Sequence, residues 1–326
     1  NILKCIVIVL FVYLILNRVE ITFDSLIIIS NMKIAYSFII TFLLSSLALF
    51  SQQLPNDLDI IYNELVWFDE FEETSLDTNK WFRQTSGPNG GRWYNGELQH
   101  YTNSDTNSFV SGGNLHIVAK KETKTQNGIR LNYTSARLNS KYAFTYGRVD
   151  VKAKLPSGNG TWPAIWTLGK NINEVGAYFQ TQDFGSTNWP ECGEIDIMEH
   201  GLHATNSVSS ALHTPSSNGN TINTASKSLP NMAENFHIYS MNWSPNQITF
   251  MIDGNPYYTY KPSSKNTSTW PFDKDQFLLL NIAMGGYAGT PDANFTQSSM
   301  VIDYVRVYQN KTASKTKQFR DPCNIN

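Results

Sequence analysis

From about residue 64 to residue 309 the chain is a succession of short β-prone segments closed by clusters of Gly, Pro, Asn or Ser. Nothing in it carries the capped 3.6-residue periodicity of a long amphipathic helix. Clear segments lie at 114–119, 147–155, 236–243, 248–252, 277–283 and 300–308. In 147–155, Val149, Val151 and Ala153 alternate with Asp150, Lys152 and Lys154, which makes one face apolar and the other charged. Segment 248–252 runs into Asp253-Gly254, a turn that closes hairpins. With this spacing and no internal repeat, the chain is expected to be all-β, an antiparallel sandwich or jelly roll.

Composition narrows the ligand. The 326 residues are 41% hydrophobic, 13% aromatic and 16% charged, with a formal net charge of −2. That is ample core for a globular domain and offers no field to draw in nucleic acid or an anionic membrane. Abundant Trp, Tyr, Asn, Ser and Thr suit a neutral, hydroxyl-rich ligand. The first fifty residues read differently from the rest. From Met32-Lys33 a short cationic start leads into an apolar stretch reaching Phe50, with Ser45, Ser46 and Ala48 near its end, the pattern of a secretory signal peptide at 32–51. Residues 1–31 are apolar but begin with Asn and are taken as an upstream extension of the reading frame. Both apolar runs, 5–16 and 34–50, fall short of the roughly 20 residues of a membrane span. These readings leave a domain at 52–310, a polar tail at 311–326 and export to the medium, periplasm or cell surface. Cys192 and Cys323 would survive cleavage. They are read as unpaired, without the spacing of a metal knuckle, and no base stands near Cys192 in sequence to make it a nucleophile.

The chemistry concentrates at residues 193–200, Gly-Glu-Ile-Asp-Ile-Met-Glu-His, where three carboxylates fall within six residues of a β-prone run. On a regular strand Glu194 and Asp196 share a face, while Glu199 falls on the other. A β-bulge at Ile197-Met198 would return Glu199 to the face of the other two, leaving Ile195 and one bulge residue toward the core. Two other readings stand beside this one. A helix would pair Glu194 with Met198 and Asp196 with Glu199 but build no continuous apolar stripe. A metal site would use the Asp, Glu and His side chains as ligands for Ca²⁺ or Zn²⁺.

Two carboxyls on one face of a concave sheet can cleave a glycosidic bond. In the retaining version one attacks the anomeric carbon and the other protonates the leaving oxygen, their carboxyl groups lying about 5–5.5 Å apart. Asp196 between them would orient the nucleophile and keep the acid protonated by like-charge proximity. Trp162, Trp166 and Trp189 could offer flat faces to pyranose rings, and Asn95, Glu97, Arg137 and His213 could bond hydroxyls. Each Trp taken singly also reads as core, and His213 as a structural histidine closing a strand-like run.

The block Glu194-Ile195-Asp196-Ile197-Met198-Glu199, preceded by Trp189-Pro190-Glu191-Cys192-Gly193 and followed by His200, resembles the bulged active-site signature of glycoside hydrolase family 16, in its laminarinase-like branch. Further segments resemble the same family in the same order. They are Trp93-Tyr94-Asn95-Gly96-Glu97-Leu98-Gln99, the stretch from Tyr146-Gly147-Arg148 through Gly160-Thr161-Trp162-Pro163-Ala164-Ile165-Trp166, residues 279–286 and residues 301–308.

The resemblance implies a concanavalin-like β-jelly roll of two antiparallel sheets with a concave substrate cleft. It implies a monomeric retaining endo-glycosidase that hydrolyses β-1,3-glucan, and mixed β-1,3/1,4-glucan as a second substrate. Glu194 then takes the nucleophile's place, Asp196 that of the supporting acid and Glu199 that of the acid/base; Asn95, Arg137, Trp162, Trp166, Trp189 and His213 match subsite residues. No cofactor is expected for catalysis. A structural calcium is implied on the convex face, held by the Asp303 carboxylate with Glu72 and Gly113 as backbone donors. The chain departs from many laminarinases after Met284-Gly285-Gly286, with Tyr287-Ala288-Gly289 where they carry a Trp. The six-residue motif argues against the unbulged lichenase and xyloglucan branches, but agarases and carrageenases share it; a galactan hydrolase is therefore an alternative. A non-catalytic β-glucan-binding module is another, opposed by two carboxylates that a binder of neutral sugar does not need.

Overall fold

The computed structural model describes residues 58–201 and 206–310. The expected upstream extension, the signal peptide, the polar tail and Cys323 lie outside the described residues.

Alternation of apolar and polar side chains produces two large sheets. The ten-stranded outer sheet runs, in spatial order, Asn255–Tyr260, Ile248–Ile252, His237–Trp243, Gly147–Lys154, Gln297–Gln309, Asn114–Lys120, Tyr133–Ser135 and Gln99–Tyr101. Glu64–Asp69 and Ser108–Ser111 pair at its side, on Gln297–Gln309 and Asn114–Lys120 respectively. The seven-stranded inner sheet runs Thr224–Ser228, Ser207–His213, Glu194–Glu199, Thr161–Gly169, Gln276–Met284, Arg137–Phe144 and Trp81–Arg83. Pairing is antiparallel except between Gln99–Tyr101 and Tyr133–Ser135. The expected all-β jelly roll of two antiparallel sheets is therefore the fold. Each anticipated segment is a strand, with ends shifted by up to three residues. Among the described residues, helix is confined to 3₁₀ turns at Gln180–Gln182 and Gly286–Ala288, and no helix is long and apolar enough to cross a membrane.

The core lies between the sheets. Val149, Val151 and Ala153 are fully buried, as the alternation requires, and meet Tyr239, Met241 and Trp243 from the next strand. From the inner sheet come Ile165, Leu278, Leu280, Ile282 and Leu138. Each fully buried Leu, Ile or Val contributes on the order of 1.5–3 kcal/mol. This packing fixes which side of every inner strand faces away from the core, and the cleft is built on that side.

Candidate active site

The bulge is present. Against Thr161–Gly169, Glu194 stands opposite Leu168, Asp196 opposite Trp166 and Glu199 opposite Ala164, with a register shift between Ile165 and Trp166. Against Ser207–His213, the same three acids oppose His213, Ala211 and Ser209, with a shift between Asp196 and Glu199. Each acid thus faces every second residue of both neighbours, which places all three on one face. One detail differs from the sequence reading: Ile197 and Met198 are both buried in the core, not one of them. The extra residue lets two consecutive side chains point inward before the alternation resumes.

On the opposite side, residues of six inner strands floor a cleft of about 1190 Å³. All six predicted binding residues line it together with the acids. Trp162 Nε1 donates to Glu199 Oε1 at 2.9 Å, and Trp189 Nε1 donates to Glu194 Oε2 at 3.1 Å. His213 Nε2 lies 3.2 Å from Asp196 Oδ2 and 3.5 Å from Glu194 Oε1. Trp166 reaches Asn281 Oδ1 through its Nε1 at 2.7 Å, and its ring covers one side of the Arg137 guanidinium. Asn95 is exposed at the rim with φ 59°, in a Tyr94-Asn95-Gly96 turn.

Electrostatics acts on the three acids in the same direction. Burial is the main force raising all three, so they do not ionise together. The Glu194 carboxyl is held well above its ordinary range by burial and then by Asp196. Asp196 is pushed up by burial to about 8. Glu199 rises to about 8, through burial first and Asp196 second. What opposes burial differs between the two glutamates. Glu194 receives the Trp189 indole N–H and faces the His213 imidazole, whereas Glu199 has the Trp162 N–H and sits farther from His213. The two glutamates therefore differ in the donors that meet them, while both are shifted toward the protonated form.

Ligand atoms of Glu194, Asp196 and His213 lie within 4.8 Å of one another, close enough for a cation to bridge. The directed hydrogen bonds to the acids come from the Trp189 and Trp162 indoles, whereas Asp196 Oδ2 and His213 Nδ1 are buried without a hydrogen-bond partner among the described residues. This site is organised by N–H donors. Cys192 is no nucleophile: it is buried, and burial with the nearby Glu194 pushes its thiol far up.

The sequence reading named Arg137 and Glu97 but not the partners that hold them. Arg137 is sandwiched between the rings of Trp93 and Trp166, at 4.9 and 4.8 Å, and its Nη2 pairs with Glu174 Oε1 at 2.7 Å. Gln84 Nε2 donates to the same Glu174 oxygen. Glu97 is enclosed by Gln99 and Tyr101, and burial pushes its carboxyl up to about 7. Tyr101 is linked in turn to Asn281. No local pattern marks Glu174 or Gln84; their partners lie 37 to 90 residues away.

The expected calcium ligands sit at a break in the outer sheet. Along Gln297–Gln309, pairing with Glu64–Asp69 ends at Val305 and pairing with Asn114–Lys120 begins at Ile302, so Asp303 falls between the two partners. The chain leaving the first at Glu70–Glu72 and the Gly112-Gly113 turn entering the second flank it. Asp303 Oδ2 is ion-paired with Lys152 Nζ at 2.5 Å. A hard cation there would draw on Asp303 Oδ1 and main-chain carbonyls, in competition with Lys152.

Comparison with known proteins agrees with this geometry. The family model described as glycosyl hydrolases family 16 matches residues 95–306. A β-glucanase from Rhodothermus marinus is 39% identical over 261 residues, which cover 76% of this chain and 85% of that protein. Glucan endo-1,3-β-glucosidase A1 of Niallia circulans is 36% identical over 281 residues, but this match spans only 39% of its length. Among solved structures, the LamA catalytic domain of Zobellia galactanivorans superposes with a TM-score of 0.70 at 46% identity, covering 76% of this chain and 98% of that one. A variant of the same protein, solved with laminaritriose and laminaritetraose, gives 0.71 at the same identity. With the acids, their bulge and the surrounding indoles in place, this chain belongs to glycoside hydrolase family 16.

Proposed function

We propose that the chain is an endo-acting hydrolase of β-1,3-glucan, extending to mixed β-1,3/1,4-glucan, that works by double displacement with retention. The observation that carries this is the bulged strand presenting Glu194, Asp196 and Glu199 on the cleft floor with unequal hydrogen-bond partners. Glu194, in its ionised form and hydrogen-bonded by the Trp189 indole, attacks the anomeric carbon. Glu199 gives its proton to the departing glycosidic oxygen, then takes one from the water that hydrolyses the glycosyl-enzyme. Asp196, lying between them with Oδ2 3.2 Å from His213 Nε2, raises Glu199 and so helps keep the acid protonated.

Charge argues for a neutral polymer. Among the described residues lining the cleft, the one Arg or Lys is Arg137, already neutralised by Glu174, while Glu97, Glu194, Asp196 and Glu199 are all acidic. A sulfated galactan would meet repulsion where it needs cations. The same reading includes export through residues 32–51, action as a monomer outside the cytoplasm, and a structural calcium at Asp303 with main-chain donors from Glu72 and Gly113.

The test is to incubate the purified chain from residue 52 onward with laminarin, mixed-linkage glucan, agarose and carrageenan, following the first-formed anomer by NMR. Cleavage of laminarin with retention is expected; inverted product, or activity on the galactans alone, overturns the proposal. Glu194→Gln and Glu199→Gln should each lose at least about 10³-fold in turnover on laminarin.

A further inference from the structure

The bulge that aligns the acids needs its own support, and the structure contains it. Pairing with Ser207–His213 runs Asp196 to Ala211 and then Glu199 to Ser209, so Ser210 alone stands opposite the two bulge residues. Ser209 and Ala211 line the cleft, and Ser210 therefore points the other way, into the core, where it is fully buried. Its hydroxyl there is not idle: Ser210 Oγ donates to the carbonyl of Ile197 at 2.7 Å. Ser210 Oγ is also in a short hydrogen bond with the Tyr257 hydroxyl, which comes from Asn255–Tyr260 at the edge of the opposite sheet. Since the Ser210 proton is committed to the carbonyl, the phenol must donate. The chain reads Tyr257 O–H to Ser210 O–H to Ile197 C=O. Burial raises the phenol to about 12, which keeps that donor proton in place. The Ser210 carbonyl is fastened as well, by Thr224 Oγ1 at 2.8 Å.

We propose that Ser210 and Tyr257 are positioning residues for Glu199, acting through the carbonyl of the bulge. A bulge disrupts the ladder locally, and a buried carbonyl without a partner is costly, so an unfastened bulge is free to relax toward regular pairing. Glu194 and Asp196 precede the bulge and are held by in-register pairing with Leu168, Trp166, His213 and Ala211. Glu199 follows it. Loss of the fastening therefore displaces the proton donor and leaves the nucleophile in place. This rests on the roles given to the two glutamates above.

The discriminating measurement is kcat/KM for Ser210→Ala, Ser210→Thr and Tyr257→Phe on two substrates. One is laminarin, whose leaving group needs a proton; the other is a 2,4-dinitrophenyl β-laminaribioside, whose leaving group does not. For Ser210→Ala we expect a fall of about 10- to 100-fold on laminarin, the scale of a misplaced catalytic group, and less than about threefold on the aryl substrate. Ser210→Thr, which keeps the hydroxyl, should recover most of the loss, and Tyr257→Phe should show the same split at smaller size. Equal losses on both substrates, or none, overturn the proposal. If Ser210→Ala does not fold, Tyr257→Phe decides the question alone, by the presence or absence of the split. A wild-type protein inactive on laminarin would instead sink the functional reading itself.

Discussion

Glu199→Gln should abolish turnover and at the same time stabilise the fold, by an amount that grows with pH. The Glu199 carboxyl moves from 4.5 to about 8 on folding, chiefly because burial disfavours its charge. Its native value is the higher one, so between these two pH values the folded chain keeps a proton that the unfolded chain releases. Stability drawn from that proton is complete below pH 4.5 and is lost as pH rises toward 8. The loss is at most about 1.4 kcal/mol per pH unit for one proton. Gln does not titrate, yet it keeps an oxygen to accept the Trp162 N–H now donated at 2.9 Å. From pH 5 to 7.5 the full effect would be about 3 kcal/mol; neighbouring Asp196 absorbs part of it by ionising more readily once Glu199 is neutral, leaving about 2 kcal/mol. For a domain of this size that is a Tm advantage widening by roughly 4–8 °C across the interval. Differential scanning fluorimetry of both proteins in matched buffers at half-unit steps measures it. A Tm difference that stays constant with pH would refute the reasoning, because it would mean that Glu199 does not titrate in this window.

Other perturbations follow from the same contacts. Trp162→Phe removes the donor that favours the Glu199 anion, so the basic limb of the kcat/KM profile on laminarin should move to higher pH; an unmoved or lowered limb contradicts the hydrogen bond. Glu174→Gln leaves the buried Arg137 guanidinium without its counter-charge and should cost about 3 kcal/mol while raising KM for glucan, read by denaturant titration and steady-state kinetics. Millimolar calcium should raise Tm relative to EDTA, and Asp303→Asn should remove the difference; an unchanged Tm would leave Asp303 simply as the partner of Lys152.

The sequence made two things legible, both local. Alternation in 147–155 identified which side chains fill the core, because a strand sorts its residues by parity alone and the apolar set in that segment is unbroken. The acid motif was legible for the opposite reason: its parity fails, and only a bulge repairs it. Sequence reasoning placed the bulge correctly at Ile197-Met198 but turned just one of the pair inward. Two apolar residues side by side could have signalled otherwise, since neither Ile197 nor Met198 gains anything from facing a cleft lined by carboxylates.

What stayed hidden is what depends on distant parts of the chain meeting. Arg137 was read as a hydroxyl binder, but its placement comes from Trp93, Trp166 and Glu174, which converge from three separate segments. A buried guanidinium needs a counter-ion and flat neighbours, so the presence of partners was predictable in kind although not in identity. Ser210 was harder still. In Ser207-Val208-Ser209-Ser210-Ala211 the alternation is blurred by small residues that tolerate either face, and a serine there reads as solvent-facing. Parity with Val208 and Leu212 turns it inward, but its partner Tyr257 lies 47 residues on, in the other sheet. The bulge thus has two consequences of different range. Its effect on the acids is carried within six residues and can be read from parity, whereas satisfying the carbonyl it displaces recruits a hydroxyl from each sheet, which ties the geometry of the cleft floor to the packing between the sheets.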